Sequence, residues 1–363
     1  MLGFSETLQA AVGAGASDAH FKLDAPVVFR VDGQLVETDA PRPDAAWFEA
    51  LIGAIVPERL RPVIESEREA DFAYETRELG RFRCNLYQQR GSWCLSVRLV
   101  RGVVPSTAEL GLPEVIRQLA TASRGIVFVS GPTGSGKSTT LAALIGEINR
   151  TSRRHVITLE DPIEFVFTDD RSRIEQREIG IDTPGYAHAL RSVLRQDPDV
   201  ILIGEMRDAE SFTTALRAAE TGHLVLTTLH ASEAAQAVGR ALEFFQPGEH
   251  EQVRRQLADN LRAVVCQRMV HKVGGGVTVA VEVLVNTPTI RKLLQDNRLE
   301  MLGDAVETGA ADGMITFNQS VLDLHKRGVI SREEALVKAG NPAALRMNLQ
   351  GIFLDEGRRI LNR

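Results

Sequence analysis

The 363-residue chain has little cysteine, few aromatics and no long hydrophobic run. Its three cysteines, Cys84, Cys94 and Cys266, are too few for a disulfide framework. None stands in a CxxC pair, so a zinc site is not expected. Such usage fits a reducing compartment, and a cytoplasmic location is expected. Aromatics supply only 5% of residues, so aliphatic packing must carry the core. Apolar runs such as Val200-Ile201-Leu202-Ile203 fall far short of the ~18–20 residues of a spanning helix. The opening MLGFSETLQAAV lacks a basic segment ahead of an apolar one, so no secretory signal is expected. An excess of positive charge is also missing. Lys plus Arg is 42 against 48 Asp plus Glu, a net charge of −6. That balance is a poor electrostatic match for nonspecific nucleic-acid binding. With 44% hydrophobic and 25% charged residues, the composition is that of an ordinary globular protein. Wholesale disorder and collagen-like repeats are excluded, and the length allows about two domains.

Residues 1–100 read as a mixed α+β domain. Val27 to Val31 and Leu35 to Val36 flank Asp32-Gly33, a two-residue hairpin signal. Residues 45–55 and 58–65 carry helical patterns. A second hairpin is expected over 81–100, where Phe82, Cys84 and Leu86 alternate with polar residues before Arg90-Gly91. A turn centred there sets Arg83 opposite Arg98 on the polar face. Directly opposed like charges destabilise a sheet. Either the two arginines are solvated or paired with nearby carboxylates, or an anion sits between them.

Residues 101–113 hold Pro105, Gly111 and Pro113 with little periodicity and read as a linker. From 114 to 363 helices and strands alternate, which argues for a mostly parallel sheet covered by helices. Strands are expected at 125–130, 155–160, 199–203, 223–228 and 276–285. Phe212, Ala215, Leu216 and Ala219 keep the spacing of a one-faced helix, as do Val253, Leu257, Leu261 and Val264. The region 286–363 is expected to be helical, with Phe317, Val321 and Leu324 as one stripe and Ser331 with Glu334 as a capping box.

The strongest chemical signal is Gly131-Pro132-Thr133-Gly134-Ser135-Gly136-Lys137-Ser138, which matches GxxxxGK[ST] at every fixed position. An apolar strand precedes it and a helical pattern follows, as a phosphate-binding loop requires. The glycines let backbone N–H groups turn toward phosphate oxygens, and the helix N-terminus adds partial positive charge. In such a loop Lys137 reaches the β- and γ-phosphates of ATP, Ser138 ligates Mg2+, and Thr139 completes the cradle. A second acidic strand is also needed. Asp199 to Glu205 is the candidate, with Gly204 where an Asp is usual and Glu205 following. A carboxylate there would activate water, or would simply be a surface Glu at a strand end. Glu160, Asp161 and Glu164 form another acidic group, able to hold Mg2+ through water or to be a solvated loop. His223 and His230 bracket a strand, so they lie about 23 Å apart and cannot share a metal. His230 falls on the ligand edge of a parallel sheet, where it could approach a γ-phosphate, although a lone histidine there is more often structural.

Taken together these boxes resemble the secretion ATPase superfamily, and within it the PilT-type retraction ATPases of type IV pili. The Walker A stretch is GPTGSGKSTT. Thr158 to Glu164 resembles the family's Asp box, Ile201 to Asp208 its atypical Walker B, and Thr221 to His230 its His box. Thr289-Ile290-Arg291-Lys292-Leu293-Leu294 resembles the AIRNLIRE motif of the retraction branch. The missing CxxC pairs disfavour the assembly branch, which carries a four-cysteine zinc insert. The resemblance implies a PAS-like α+β N-terminal domain, a RecA-like P-loop domain and a helical C-terminal region. It implies a homo-hexamer that binds ATP and Mg2+ between the two domains. Arg83 and Arg98 resemble arginines brought to the γ-phosphate, Glu205 the catalytic glutamate, and His230 the His-box histidine. The expected role is pilus retraction and twitching motility, powered from the cytoplasm through an inner-membrane platform protein, with the linker as hinge. Membrane contact would come only through partners, one of which could be a paralogous pilus ATPase. Other readings are an accessory PilU-like ATPase, an assembly ATPase or a RecA-like nucleic-acid motor. The last lacks the basic, aromatic-rich stretch it would need.

Overall fold

The computed structural model describes residues 3–100 and 102–352. Arg101, at the start of the expected linker, and residues 353–363 of the expected helical tail lie outside the described residues. The chain folds as two compact units. One comprises Met1–Val103 with Glu164–Val166, the other Val104–Ile163 with Phe167–Arg363.

The first unit is built on a six-stranded sheet. Its strands are β1 (Asp18–Lys22), β2 (Val28–Val31), β3 (Gln34–Glu37), β4 (Glu69–Thr76), β5 (Gly80–Gln89) and β6 (Ser92–Leu99). They run in the order β3-β2-β1-β6-β5-β4, and every neighbouring pair is antiparallel. Both expected hairpins form. Asp32 and Gly33 have φ of 49° and 81°, and Arg90 and Gly91 have φ of 51° and 78°. Two consecutive positive φ values are the type I′ geometry that matches the twist of a two-residue hairpin. The tight turn sets the register, and Arg83 pairs with Arg98 across β5 and β6. One face, carrying Phe72, Phe82, Cys84, Leu86, Leu95 and Val97, is buried against helices Phe4–Gly13 and Ala45–Ile55. Strands β1 and β4 add to the hairpins expected from sequence.

The second unit carries a seven-stranded sheet. It contains β7 (Gly125–Ser130), β8 (His155–Glu160), β9 (Arg173–Glu178), β10 (Val200–Ile203), β11 (Leu224–Leu229), β12 (Leu261–His271) and β13 (Val277–Val285). The order is β13-β12-β7-β11-β10-β8-β9. All pairs are parallel except the β12–β13 hairpin. Both faces are covered. Val127, Val129, Val156, Val200 and Leu226 pack with helix Lys137–Thr151 on one side. Phe128, Ile157, Ile201 and Val225 pack with helices Tyr186–Val193, Ala209–Glu220 and Ala234–Glu243 on the other. This is why the strands read as unbroken apolar runs.

One expectation is overturned here. Val253 and Leu257 lie on helix His250–Asn260, but Leu261 and Val264 belong to β12. The helical spacing runs on by coincidence across the helix–strand junction. A short apolar run buried on both faces cannot be told from a helix by periodicity. The C-terminal region is helical through residue 349, with Phe317, Val321 and Leu324 buried along Phe317–Lys326. Ser331 accepts from the Glu334 N–H at 3.1 Å, while the Glu334 carboxylate accepts from His271 N–H instead of closing the capping box.

Candidate nucleotide site

In a sheet buried on both faces, polar chemistry is confined to the strand ends. The carboxyl ends of β7, β8, β10 and β11 share one edge and lead into the phosphate loop, Glu160-Asp161, Gly204-Glu205 and His230 respectively. Ligands of parallel α/β sheets bind at this edge.

The loop after β7 is shaped by glycine. Gly131, Gly134 and Gly136 have φ of 145°, 78° and 89°. A Cβ on Gly131 would lie 2.5 Å from the Gln267 carbonyl and 2.6 Å from Ser135 Oγ, so no side chain fits there. Helix Lys137–Thr151 begins immediately after Gly136, with Ser138 and Thr139 in its first turn. Its first N–H groups have no intrahelical acceptor and point at the loop. Lys137 Nζ donates to the Gly131 and Pro132 carbonyls at 2.8 and 3.1 Å. Thr133 and Gly134 are exposed at the tip, whereas Ser135 is buried. Beneath the helix, the buried Gln267 on β12 donates to Thr140 Oγ1 at 2.8 Å. Ser130 secures the root of the loop. Its hydroxyl is 3.0 Å from both the Leu229 and Ala231 carbonyls and accepts from the Ala231 N–H at 2.8 Å.

Opposite the loop, Glu205 is held from two sides. Arg207 Nε donates to Glu205 Oε2 at 2.8 Å, and His230 Nε2 lies 3.2 Å from Oε1. Arg207 also reaches Asp161 at 3.4 Å, tying the β8 end to the β10 end. Its hydrogen bond to Glu205 raises the affinity of the Arg207 guanidinium for its proton. Glu160 accepts from Thr158 Oγ1 at 2.6 Å and from Gln176 Nε2 at 3.1 Å. Glu205, Arg207, His230 and Arg240, with Leu229 and Phe244, line an open cleft of about 660 Å3. Asp208 caps helix Ala209–Glu220 by accepting from the Ser211 N–H at 2.7 Å.

Gly204 now has a physical reason. A Cβ there would sit 3.0 Å from the Tyr186 hydroxyl and 3.2 Å from the Leu159 carbonyl. Tyr186, at the start of helix Tyr186–Val193, is partly buried against the core. Burial, then the nearby Asp161 carboxylate, push its phenol well above the ordinary range, so the hydroxyl is neutral.

The remaining candidates divide. His223 stands at the opposite end of β11, 2.9 Å from the Ala218 carbonyl through Nδ1, a structural placement. Glu164 falls in the first unit, whereas Glu160 and Asp161 fall in the second. Among the described residues no three His, Cys, Asp or Glu side chains gather as a metal-holding group. In the first unit, Arg98 Nε donates to Asp18 Oδ1 at 2.8 Å, and Arg83 Nε is 4.0 Å from Asp71. Both arginines therefore have carboxylate neighbours, the pairing alternative raised from sequence, yet Arg98 stays 66% exposed. Burial opposes ionisation of Asp18, but hydrogen bonds from Arg98 and Ser17 outweigh it and hold its carboxyl below the ordinary value. Sequence reasoning assigned no role to Arg207, Gln267 or Tyr186. Arg207 could have been found from its place two residues beyond Glu205; Tyr186 and Gln267 carry no local motif.

A phosphate-binding loop and the Glu205 carboxylate thus stand on one sheet edge. Residues 3–333 match the family model described as type II/IV secretion system protein. The chain belongs to this family. It is therefore an ATP-hydrolysing secretion ATPase. The type IV pilus retraction ATPase PilT of Pseudomonas aeruginosa is 40% identical over 341 residues, covering 94% of this chain and 99% of PilT. The type IV pilus ATPase PilU of the same organism is 37% identical over 349 residues, covering 96% and 91%. The crystal structure of the pilus retraction motor PilT with bound ADP superposes with a TM-score of 0.88 at 40% identity, covering 94% and 98% of the two chains. This secretion ATPase shares with that structure an antiparallel α+β domain, a mostly parallel α/β domain and C-terminal helices. Among the described residues no helix is long and apolar enough to cross a membrane.

Proposed function

We propose that this secretion ATPase is the motor that retracts a type IV pilus, working as a homo-hexamer in the cytoplasm on an inner-membrane platform protein. The observation that carries this reading is 40% identity to a retraction ATPase along nearly the whole of both chains, over a complete phosphate loop. ATP sits with its phosphates on residues 131–139, where Gly131, Gly134 and Gly136 hold the positive φ values of a phosphate loop. Lys137 exchanges its loop carbonyls for the β- and γ-phosphates. Mg2+ would be held by Ser138 in the first helical turn, with Glu160 at the end of β8 and Asp161 and Glu164 beyond it assisting through water. Magnesium bound with ATP neutralises phosphate charge. Glu205 orients and deprotonates the attacking water, and Arg207 and His230 hold it in place. Arg83 and Arg98 supply positive charge to the γ-phosphate, and residues 101–113 act as the hinge between power stroke and reset.

Deletion of the gene in its host tests the reading. Hyperpiliated cells that do not twitch are expected, and bald cells would overturn it in favour of assembly. The 37% identity to PilU favours a second reading, an accessory motor. In that case a strain carrying only Glu205→Gln would still retract through a partner ATPase.

A further inference from the structure

The end of β10 carries glycine where a P-loop enzyme ordinarily has a carboxylate, and the Tyr186 hydroxyl points at that glycine. Three observations meet there. The hydroxyl lies 3.0 Å from where a Cβ on Gly204 would be. Burial first, then the Asp161, Glu205 and Glu160 carboxylates near the ends of β8 and β10, hold the hydroxyl in its neutral form. Its ring is packed against the core beneath the strand ends, which fixes its direction. A phenol both donates and accepts hydrogen bonds without adding charge. A fourth carboxylate beside Glu160, Asp161 and Glu205 would add like-charge repulsion at this edge.

We propose that the Tyr186 hydroxyl takes the place of the side chain missing at Gly204, as the uncharged polar group that orders water between the Asp161 and Glu205 carboxylates when magnesium and ATP are bound. Gly204 is the residue that admits it. Tyr186 is thus a positioning residue for the hydrolysis reaction, and this inference rests on the nucleotide reading above.

Tyr186→Phe removes only the hydroxyl and tests the claim. Turnover is expected to fall about 3- to 10-fold, the effect of one lost hydrogen bond. Binding of methylanthraniloyl-ADP, read by fluorescence without hydrolysis, is expected to be unaltered in EDTA. Its tightening on addition of Mg2+ should weaken several-fold in the variant. A Tyr186→Phe protein with the Mg2+ response and turnover of the parent overturns the proposal while leaving the nucleotide reading intact. A parent protein that binds no methylanthraniloyl-ADP, or binds it equally well as Lys137→Ala, overturns both. A melting-temperature cycle adds a readout independent of nucleotide. Gly204→Ala should lower Tm in the parent and lower it less in the Tyr186→Phe background, where the 3.0 Å contact is gone. Equal losses in both backgrounds would show that the hydroxyl is not what fills the space, and would sink the idea.

Discussion

The two sheets of this molecule place chemistry in opposite ways. The antiparallel sheet of the first unit buries one face and leaves the other to polar side chains, so Arg83 and Arg98 stand within the paired strands themselves. The parallel sheet of the second unit is buried on both faces. Its candidate site residues are therefore displaced to strand ends and the loops beyond them: the glycines after β7, Glu160 and Asp161 at the end of β8, Glu205 after β10, His230 after β11. The lesson is that burial decides where a functional group can live before chemistry decides which group it is.

Substitutions can break that contrast. The largest effect is expected at the strand ends. Glu205→Gln should cut turnover by about 10²- to 10⁴-fold, the usual worth of a general base, with folding intact by circular dichroism. Wild-type turnover in the purified variant would remove Glu205 from the mechanism. Lys137→Ala should lose ~10²-fold or more with weakened ATP binding, measured by titration calorimetry. Next comes a test of the faces themselves. In β7, Val127→Ala and Phe128→Ala should both destabilise, by about 1.5–3 and 3–5 kcal/mol, because each faces a core. In β5, Phe82→Ala should cost a similar ~3–5 kcal/mol, while the adjacent Arg83→Ala should cost under ~1 kcal/mol in urea melts. Arg83→Ala and Arg98→Ala should instead slow turnover. Parallel losses in stability and rate would mark them as structural. The smallest effect concerns pH. The folded-state pKa of Asp18 is depressed, so its contribution is present above the unfolded value and fades as pH falls through the folded one. Asp18→Asn should cost about 1 kcal/mol or less at pH 7, since Arg98 is largely exposed and screened. The difference from the parent should shrink toward zero in strongly acid melts.

Much of this was legible in the chain. The phosphate loop announces itself because glycines and lysine at fixed spacing have few other uses. The Arg83–Arg98 pairing followed from turn chemistry, since a two-residue I′ turn leaves no freedom of register. Strand β9 was hidden by its composition, RIEQRE, because an edge strand needs no apolar alternation. Strand β12 was hidden by the reverse, an apolar run that continues a helical spacing. The contacts that hold Glu205 were invisible for a different reason. Arg207 is a local partner two residues on, but His230 comes from the end of β11, and only the strand order brings it to Glu205.

Ser130 has a consequence for how a bound nucleotide would be felt. One hydroxyl fastens the root of the phosphate loop to the backbone on both sides of His230. The phosphate loop and the His230 loop thus share a single anchor, so a change at one root is felt directly at the other.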